Sequence, residues 1–244
     1  LLHFSADLFN AQAMAEEAVR PPFRRQGYYA LAQNMVARQD EDSERALALA
    51  VRGGSNGDVS AHADAGNFVL FCEGEPVLAD AGFLGDTAYH NLPLIGGAGQ
   101  SLGAAFGAQD VSCRLEDDYA MISMNLAAAY PPQSGVYAWQ RTLVYERPRN
   151  TVQLMEFFDL KDFSSVSFHF ITPYEPELGD GWAQLGPVRM RWEPGLTASR
   201  QKLDVPEGWR SVWGEALYLV ALDTDEPVEN GRRTFAFNAL RTFG

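Results

Sequence analysis

The chain has 244 residues, of which 46% are hydrophobic and 21% are charged, and its formal net charge is −13. This amount of apolar material can form a folded core, which excludes an intrinsically disordered chain. The acidic balance argues against nucleic acid as a partner, because affinity for phosphate comes from clustered Lys and Arg. No run of about 18 apolar residues occurs, so no membrane-spanning helix is predicted.

The first 26 residues differ in texture from the rest of the chain. Helical periodicity is confined to residues 8–19, which are rich in Ala, Leu and Glu and are followed by Pro21 and Pro22. We interpret residues 1–26 as a short helical remnant or linker after a preceding domain, because the sequence begins with Leu1 rather than Met. Residues 1–10 are too short and too polar for a signal peptide, so composition alone predicts no compartment.

From Gly27 onward, short β-branched and aromatic runs alternate with Gly, Pro, Asn and Asp, which is typical of antiparallel sheet. The clearest predicted strands cover residues 28–38, 45–52, 67–73, 119–129, 137–146, 151–160, 166–172, 188–192 and 217–222. About a dozen strands favour two packed sheets, since twisted open sheets rarely exceed about ten strands. We therefore predict an all-β fold, a large antiparallel two-sheet β-sandwich of the super-sandwich type, as one domain over residues 27–244.

Turn residues between apolar runs predict two hairpins, at residues 73–76 and 147–150. The second strand of a hairpin ends beside the start of its first strand, so Asp80 returns towards His62 and Asp64. The glycine-bearing loop after Asp80 can bring His90 to the same place. Two imidazoles and a carboxylate suit zinc, whose fourth position would be water or a group that the spacing does not identify. The alternative is that these are separate, hydrogen-bonded polar residues in loops.

Two glycine-rich stretches imitate known motifs without their context. Residues 53–57 match GxSxG, but no credible helix follows and the fold reads antiparallel, so a loop is favoured over a nucleophilic Ser55. Residues 96–103 resemble a nucleotide-binding loop, but Leu102 stands at the final glycine position of GxGxxG. We predict that both stretches are loops.

The remaining candidates are interpreted as structural. Cys72 and Cys113 are not spaced as a CxxC pair and are predicted to be core thiols. His169 is expected at the surface or hydrogen-bonded, and His3 is expected to be solvated. The five tryptophans could form a platform that stacks on sugars, but most are expected in a sandwich core.

Three motifs together resemble the C-terminal β-sandwich domain of heparinase II/III-like polysaccharide lyases. They are residues 57–70 (GDVSAHADAGNFVL), 74–82 (GEPVLADAG) and 89–91 (YHN). The family pattern reads HxHxDxGsF, then dGepvlxDxG, then a His-Asn pair. The resemblance runs from about Gly27 to the end of the chain, with looser support from residues 139–141 (WQR) and 213–214 (WG).

The resemblance implies that His62, Asp80 and His90 bind zinc, in a structural rather than a catalytic role. It implies β-elimination on a uronic-acid-containing acidic polysaccharide, completed by an N-terminal α-helical toroid domain that precedes this one. It also implies a periplasmic or secreted protein. Ser60 stands where the family has an active-site His, so no catalytic residue is assigned within this chain.

A second function remains open from the sequence. The chain could be a non-catalytic, zinc-stabilised β-sandwich that serves as a carbohydrate-binding or interdomain scaffold. Ser60 favours this alternative, because a hydroxyl cannot act as a base near neutral pH without a partner.

Overall fold

The structure is a computed structural model that describes residues 24–41, 46–57 and 62–240. The predicted helix over residues 8–19, His3 and Ser60 all lie outside the described residues. The proposed boundary between residues 1–26 and 27–244 therefore stays a prediction. Within the described ranges, no helix is long and apolar enough to cross a membrane.

Strand dominates the described residues, and every strand pairing among them is antiparallel. The strands are β1 (Gln26–Tyr29), β2 (Asn34–Arg38), β3 (Leu47–Arg52), β4 (Ser55–Asn56), β5 (Phe68–Cys72), β6 (Glu75–Leu78), β7 (Pro93–Ile95), β8 (Gly103–Gly107), β9 (Gln109–Leu115), β10 (Tyr119–Asn125), β11 (Val136–Glu146), β12 (Thr151–Ser164), β13 (Val166–Thr172), β14 (Glu177–Gly179), β15 (Trp182–Leu185), β16 (Val188–Trp192), β17 (Leu196–Asp204), β18 (Ala216–Thr224) and β19 (Val228–Ala239). The predicted all-β, antiparallel class is confirmed.

These strands form four sheets. The largest has eight strands in the order β14-β15-β16-β19-β12-β11-β10-β9, so that β19 lies between β16 and β12. A five-stranded sheet has the order β1-β2-β3-β5-β6, and a four-stranded sheet has the order β17-β18-β13-β7. β4 and β8 form a separate two-stranded sheet.

The five-stranded and four-stranded sheets join into one layer. β6 runs out of the five-stranded sheet beside β13, and the Ala79 amide donates to the Ile171 carbonyl at 2.9 Å. The predicted two-layer sandwich is therefore correct, but one of its layers is assembled from two sheets. Residue periodicity does not predict which sheets a backbone hydrogen bond of this kind connects.

Period-2 burial explains why the layers pack. Along β12, Val152, Leu154 and Phe158 are buried while Gln153 and Phe157 face outward, as expected for a strand with one face on the core. The buried faces of both layers then share one apolar cluster.

Aromatic rings connect the layers at the centre of that cluster. Phe168 and Phe170 of β13 contact Phe235 of β19 with ring centroids 5.1 and 5.2 Å apart. Phe68 of β5 meets Phe237 edge-on at 5.9 Å. Each fully buried Phe contributes roughly 1.5–3 kcal/mol relative to an exposed one. This cluster is the main attraction between the layers.

Helix is sparse among residues 24–41, 46–57 and 62–240, as the sequence predicts for the chain after Gly27. One short α-helix, α1 (Arg210–Trp213), lies between β17 and β18. The 3-10 turns cover Thr87–Tyr89, Ala127–Ala129, Pro132–Ser134, Arg147–Arg149 and Glu207–Trp209.

Both predicted hairpin turns are present. β5 and β6 are joined by Glu73 and Gly74, whose φ angles are 55° and 80°, as a two-residue hairpin turn with both central residues left-handed requires. The second turn, after Glu146, leads from β11 to β12 through Asn150 at φ 45°.

Two predicted strands have the wrong bounds. Residues 28–38 are a hairpin rather than one strand, because the chain turns at residues 30–33, where Gln33 has φ 54°. Gly53 and Gly54 hold this turn by donating their amides to the Gln33 main-chain and side-chain oxygens. The strand predicted over residues 119–129 ends at Asn125, where a 3-10 turn begins two residues later.

The tryptophans divide between core and surface. Trp139 and Trp192 are buried, and Trp213 packs partly buried against a small second apolar cluster. Trp182 is half-buried. Trp209 is 39% exposed, so the core prediction holds for most of the set but not for this residue.

Candidate metal centre

Four side chains converge at one end of the five-stranded sheet. His62, Asp64, Asp80 and His90 each present a possible ligand atom, and these atoms all lie within 4.8 Å of one another. The rings of His62 and His90 have centroids 5.2 Å apart. The trio His62, Asp80 and His90 is therefore brought together, and Asp64 joins it.

The β5-β6 hairpin positions Asp80. Leu70 pairs with Leu78, so the chain leaves β6 beside the residues that lead into β5. The side-chain nitrogen of Asn67 donates to Asp80 Oδ2 at 3.0 Å, and the backbone amide of Gly82 donates to Asp80 Oδ1 at 3.0 Å. Both carboxylate oxygens are thereby oriented by residues on either side of the hairpin.

The loop that carries His62 and Asp64 is fixed to the segment before His90. The Ala63 amide donates to the Gly85 carbonyl at 2.9 Å, and the Thr87 hydroxyl donates to the Ala63 carbonyl at 2.7 Å. Thr87 begins the 3-10 turn that His90 directly follows. These two hydrogen bonds bring two distant parts of the chain to the same side of Asp80.

Asp80 and His90 lie close together within the cluster. His90 Nδ1 lies 3.5 Å from Asp80 Oδ2, which is too long for a good hydrogen bond. Burial raises the pKa of Asp80, but the His90 ring and the Gly82 amide outweigh it, so the pKa lies below its usual value. Asp80 is therefore an anion over the neutral pH range.

Asp64 faces a cation of its own. It is buried and forms an ion pair with Arg52, whose guanidinium also donates to the Ser55 carbonyl at 2.8 Å. Burial raises the pKa of Asp64, and Arg52 and the two imidazoles offset this only in part. The free energy needed to keep this carboxylate buried and ionised would fall if a further cation bound beside it.

The chemistry of His90 provides a test of whether a metal fits. His90 is fully buried, and neither of its ring nitrogens has a hydrogen-bond partner among the described residues. A buried polar atom without a partner costs roughly 1–3 kcal/mol. A metal ion held by His90, His62 and the two carboxylates would satisfy one of these nitrogens, and nitrogen and oxygen ligands suit zinc.

Two asparagines, Asn67 and Asn91, connect the segments of the site by hydrogen bonds. Asn91 follows His90 and is fully buried, and its side-chain nitrogen donates to the carbonyls of Phe68 and Ala79. Its side-chain oxygen accepts the Ile171 amide at 2.8 Å. Asn67 in turn accepts the Asn91 amide at 3.0 Å. The cluster thus rests on a hydrogen-bonded layer in which β5, the end of β6 and β13 all take part.

A buried ion pair from the large sheet completes this layer. Arg141 and Glu156 face each other on β11 and β12, form an ion pair, and are both essentially unexposed. Arg141 also donates to the carbonyls of Gly66 and Asn91, each at 2.8 Å. Burial raises the pKa of Glu156 above its usual value, and the contacts with Arg141 and the Trp139 indole nitrogen offset this only in part. Arg141 therefore contacts the backbone next to Asp64 and next to His90, two of the three segments that carry the candidate ligands.

The rival candidates have structural roles. Ser55 lies in β4 and pairs with Gly107 in a two-stranded sheet, which is not a nucleophile elbow. His169 is hydrogen-bonded, as predicted, with Nδ1 2.8 Å from the Ala88 carbonyl and Nε2 3.0 Å from the Ser167 hydroxyl. Cys72 is buried and Cys113 is half-buried, and both thiols are free.

The sequence interpretation named Asp64 as a neighbour but not as a ligand. It also missed the supporting roles of Asn67, Asn91 and Arg141. Asn91 and Arg141 both stand inside motifs that carry the resemblance, so their presence there was the available signal. Their partners are backbone atoms far along the chain, which residue spacing does not reveal.

Comparison with solved structures finds this fold in parts of three polysaccharide lyases. Over 97% of this chain and 39% of the other, it superposes on a heparinase III with a TM-score of 0.73 at 11% identity. A heparan sulfate lyase from Pedobacter heparinus gives a TM-score of 0.68 at 12% identity, over 95% of this chain and 39% of that chain. A chondroitin AC lyase from Streptomyces coelicolor gives a TM-score of 0.54 at 13% identity, over 98% of this chain and 36% of that chain.

The chain spans less than two fifths of the length of each of these three neighbours. No protein-family model matches it, and no curated protein matches it by sequence. At these identities the superposition identifies the fold, and it does so over nearly the whole chain. The chain therefore shares the β-sandwich fold of the part of these lyases on which it superposes.

Proposed function

We propose that this chain is the β-sandwich domain of a lyase that cleaves uronic-acid-containing polysaccharide by β-elimination. The observation that carries the proposal is the convergence of His62, Asp64, Asp80 and His90 within a fold that superposes on such lyases. In this reaction a base removes the proton next to the uronate carboxyl, and the C–O bond to the next sugar breaks as a C=C bond forms. An acid then protonates the leaving oxygen.

In this proposal His62, Asp80 and His90 hold zinc, with Asp64 as a fourth ligand. The zinc supplies a fixed positive charge that holds the three ligand-bearing segments together. Asn67 and the Gly82 amide orient the Asp80 carboxylate through the hydrogen bonds described above. Arg52 keeps the second buried carboxylate, Asp64, neutralised on its other side.

The catalytic base and the groups that neutralise the uronate would come from outside this chain. The net charge of −13 repels an anionic polymer, so the positive potential must be supplied elsewhere. An α-helical toroid domain preceding this one is the proposed source. This chain covers less than two fifths of the length of the neighbouring lyases, which leaves room in such a protein for a further domain.

The experiment is an elimination assay on the protein at its natural length, which follows the ultraviolet absorbance of unsaturated uronate ends. Glucuronate-containing and mannuronate-containing polymers would be compared, with Ser60→His as the paired variant. Product from the wild-type protein supports the lyase, and a large gain in Ser60→His alone indicates a decayed active site. If neither protein forms product from any uronate polymer, the lyase proposal is wrong.

The second candidate is a zinc-stabilised sandwich that binds carbohydrate or a partner domain without catalysis. The observation in its favour is Ser60, which replaces the family's active-site histidine in the sequence. It predicts saccharide binding with no unsaturated product from the wild-type protein.

A further inference from the structure

His169 of β13 contacts the chain on both sides of the candidate ligand His90. Its ring nitrogen Nδ1 lies 2.8 Å from the Ala88 carbonyl, and its backbone amide donates to the Leu92 carbonyl at 3.2 Å. His169 is only 8% exposed, so water competes little for these bonds. One residue of a neighbouring strand therefore holds the backbone two positions before His90 and two positions after it.

The Ala88 carbonyl needs a partner from outside its own turn. It lies in the 3-10 turn Thr87–Tyr89, where a carbonyl accepts the amide three residues further on if the turn continues. The Asn91 amide donates instead to the Asn67 side-chain oxygen at 3.0 Å. The turn ends at this point, and the His169 ring supplies the hydrogen bond that the carbonyl at its end requires.

Both ring nitrogens of His169 are used, and their partners fix the tautomer. A carbonyl can only accept, so Nδ1 carries the proton and donates to Ala88. Nε2 of the neutral ring then accepts from the Ser167 hydroxyl at 3.0 Å. Burial lowers the pKa of His169, and the Ala88 carbonyl and Asp223 offset this only in part, which keeps the ring neutral near neutral pH. The ring is thus held in one orientation, with its donor directed at the His90 segment.

The same strand also holds the segment of a second candidate ligand. The Ala79 amide, directly before Asp80, donates to the Ile171 carbonyl at 2.9 Å. The Ile171 amide donates to the side-chain oxygen of Asn91, directly after His90. Within three of its residues, β13 therefore contacts the backbone next to Asp80 and the segment around His90, and it sets the spacing between these two ligands.

Strand pairing alone does not reach His90. β7 pairs with β13 from Pro93 to Ile95, and this ladder begins three residues after His90. The His169 ring extends the attachment of the segment to β13 back to Ala88, on the far side of His90. Without this bond, the segment would be attached to β13 only on the side that follows the ligand.

We propose that His169 is a positioning residue for the proposed zinc: by holding the backbone on both sides of His90, it keeps the His90 ring in place relative to Asp80. The inference rests on the zinc of the proposed function. It extends that function to a residue that lies outside the ligand set and outside the motifs that carry the resemblance. His169 acts through the backbone of the His90 segment and does not itself bind the metal.

The test is the zinc affinity of the protein at its natural length, measured by competition with a chelator of known affinity. His169→Asn keeps a donor nitrogen where Nδ1 lies, whereas His169→Gln places its nitrogen near the position of Nε2 and leaves the Ala88 carbonyl without a donor. Zinc should bind roughly tenfold more weakly to His169→Gln, at the low end of the effect of residues that support a metal ligand, and within about twofold of wild type to His169→Asn.

Cobalt(II) in place of zinc separates positioning from a purely structural role, because its visible absorption reports the geometry of the ligands. The spectrum should change in His169→Gln and be restored in His169→Asn. Tyr130→Phe is the matched control, since it removes a buried side-chain hydrogen bond to the Pro93 carbonyl, 2.7 Å long and three residues after His90. It should lower the melting temperature of the metal-free protein but leave the zinc affinity and the cobalt spectrum unchanged.

Ser167→Ala is the variant to use if His169→Gln does not fold. It removes the hydroxyl that orients the ring, so zinc binding should weaken by roughly three- to fivefold.

The outcomes separate this inference from the zinc site and from the lyase. Zinc bound as tightly by His169→Gln, or by Ser167→Ala in its place, as by wild type overturns the role of His169 and keeps the zinc site. A loss as large in His169→Asn as in His169→Gln also overturns it, because the Nδ1 donor is then not the cause. Wild-type protein that binds no zinc overturns both the site and the role of His169, while the elimination assay decides the lyase separately.

Discussion

Arg141 connects three segments that are far apart in the sequence. Its guanidinium contacts Glu156 on the neighbouring strand and the carbonyls of Gly66 and Asn91, which are 75 and 50 residues away in sequence. These carbonyls belong to the segments that carry Asp64 and His90. A single side chain of the large sheet therefore fixes the backbone on both sides of the candidate metal centre.

Arg141→Met should lower the free energy of unfolding by about 3–5 kcal/mol, because it leaves Glu156 buried without its cation. Denaturant unfolding measures this loss. The double variant Arg141→Met, Glu156→Leu should recover a large part of it, since no unpaired charge then remains. Arg149→Met is the control, because Arg149 pairs with Glu146 at a 75% exposed position and should cost no more than about 1 kcal/mol. A loss in Arg141→Met no larger than in the control would contradict the role assigned to Arg141.

The sequence predicts the approach of His62, Asp80 and His90 because a tight hairpin connects two of them. The turn residues Glu73 and Gly74 fix that hairpin, and the rest follows from antiparallel pairing. The convergence itself is observed, while zinc remains a prediction. Arg141 could not be found in this way, because its partners are carbonyl groups, and any residue type supplies those.

At the scale of elements, the turn before β5 is tightly constrained. Gly66 has φ 84°, in the left-handed region. A Cβ atom at this position would lie 2.7 Å from Leu126 Cδ1, which is too close. Leu126 is fully buried and cannot move aside easily. Glycine is therefore required both by the backbone and by the neighbouring side chain.

Gly66→Ala should reduce stability by roughly 2–5 kcal/mol, of which about 1–2 kcal/mol is left-handed strain and the rest is overpacking. Gly97→Ala is the matched comparison, because Gly97 has φ 78° and no atom within 4 Å of its Cβ position. It should show the strain alone. Thermal or denaturant unfolding of both variants gives the difference. Equal losses in the two proteins would mean that Leu126 is not the obstacle.

The sequence predicted the ends of strands where turn-forming residues stand. It missed an end that depends on hydrogen bonds to a distant part of the chain. The turn at Gly74 is marked by its sequence, and it was found. The turn at residues 30–33 is not, because Gln33 adopts φ 54° only through the hydrogen bonds to Gly53 and Gly54. Long-range contacts of this kind override the local preference for a continuous strand.

At the scale of the whole molecule, the proposed zinc would add a direct link between three segments of the chain that hydrogen bonds already hold together. Its ligands come from the segment before β5, the end of β6 and the 3-10 turn after it. A metal that binds only the folded state stabilises it by mass action, by about 2.7 kcal/mol at a hundredfold excess over its dissociation constant.

Elemental analysis of the purified protein should therefore give close to one zinc per chain, and His62→Ala should lose it. Chelation should lower the melting temperature of the wild type but leave His62→Ala unchanged. This difference should shrink at acid pH, since protons compete with zinc for the imidazoles. Gln184→Ala, a substitution on β15 of the large sheet, is the control and should retain zinc. Wild-type protein that was never exposed to chelator and contains no zinc would contradict the metal site.

The sandwich class follows from composition and strand periodicity, but the order of its strands does not. β19 was not among the predicted strands, although it pairs with both β12 and β16. Its aromatic residues, Phe235 and Phe237, are flanked by polar residues, with Arg232 and Arg233 before them and Asn238 after them. This mixed pattern hides a strand that is buried on one face only.

The position of β19 has a consequence for how the protein is made. Before β19 emerges from the ribosome, the large sheet consists of two separate parts, β14-β15-β16 and β12-β11-β10-β9. The two strands that β19 will join, β16 and β12, then expose unpaired amide and carbonyl groups, which can pair with other chains. At about 5–20 residues per second, this interval lasts for the synthesis of everything from β12 to β19. The nascent chain is therefore expected to need protection from aggregation until β19 has been translated.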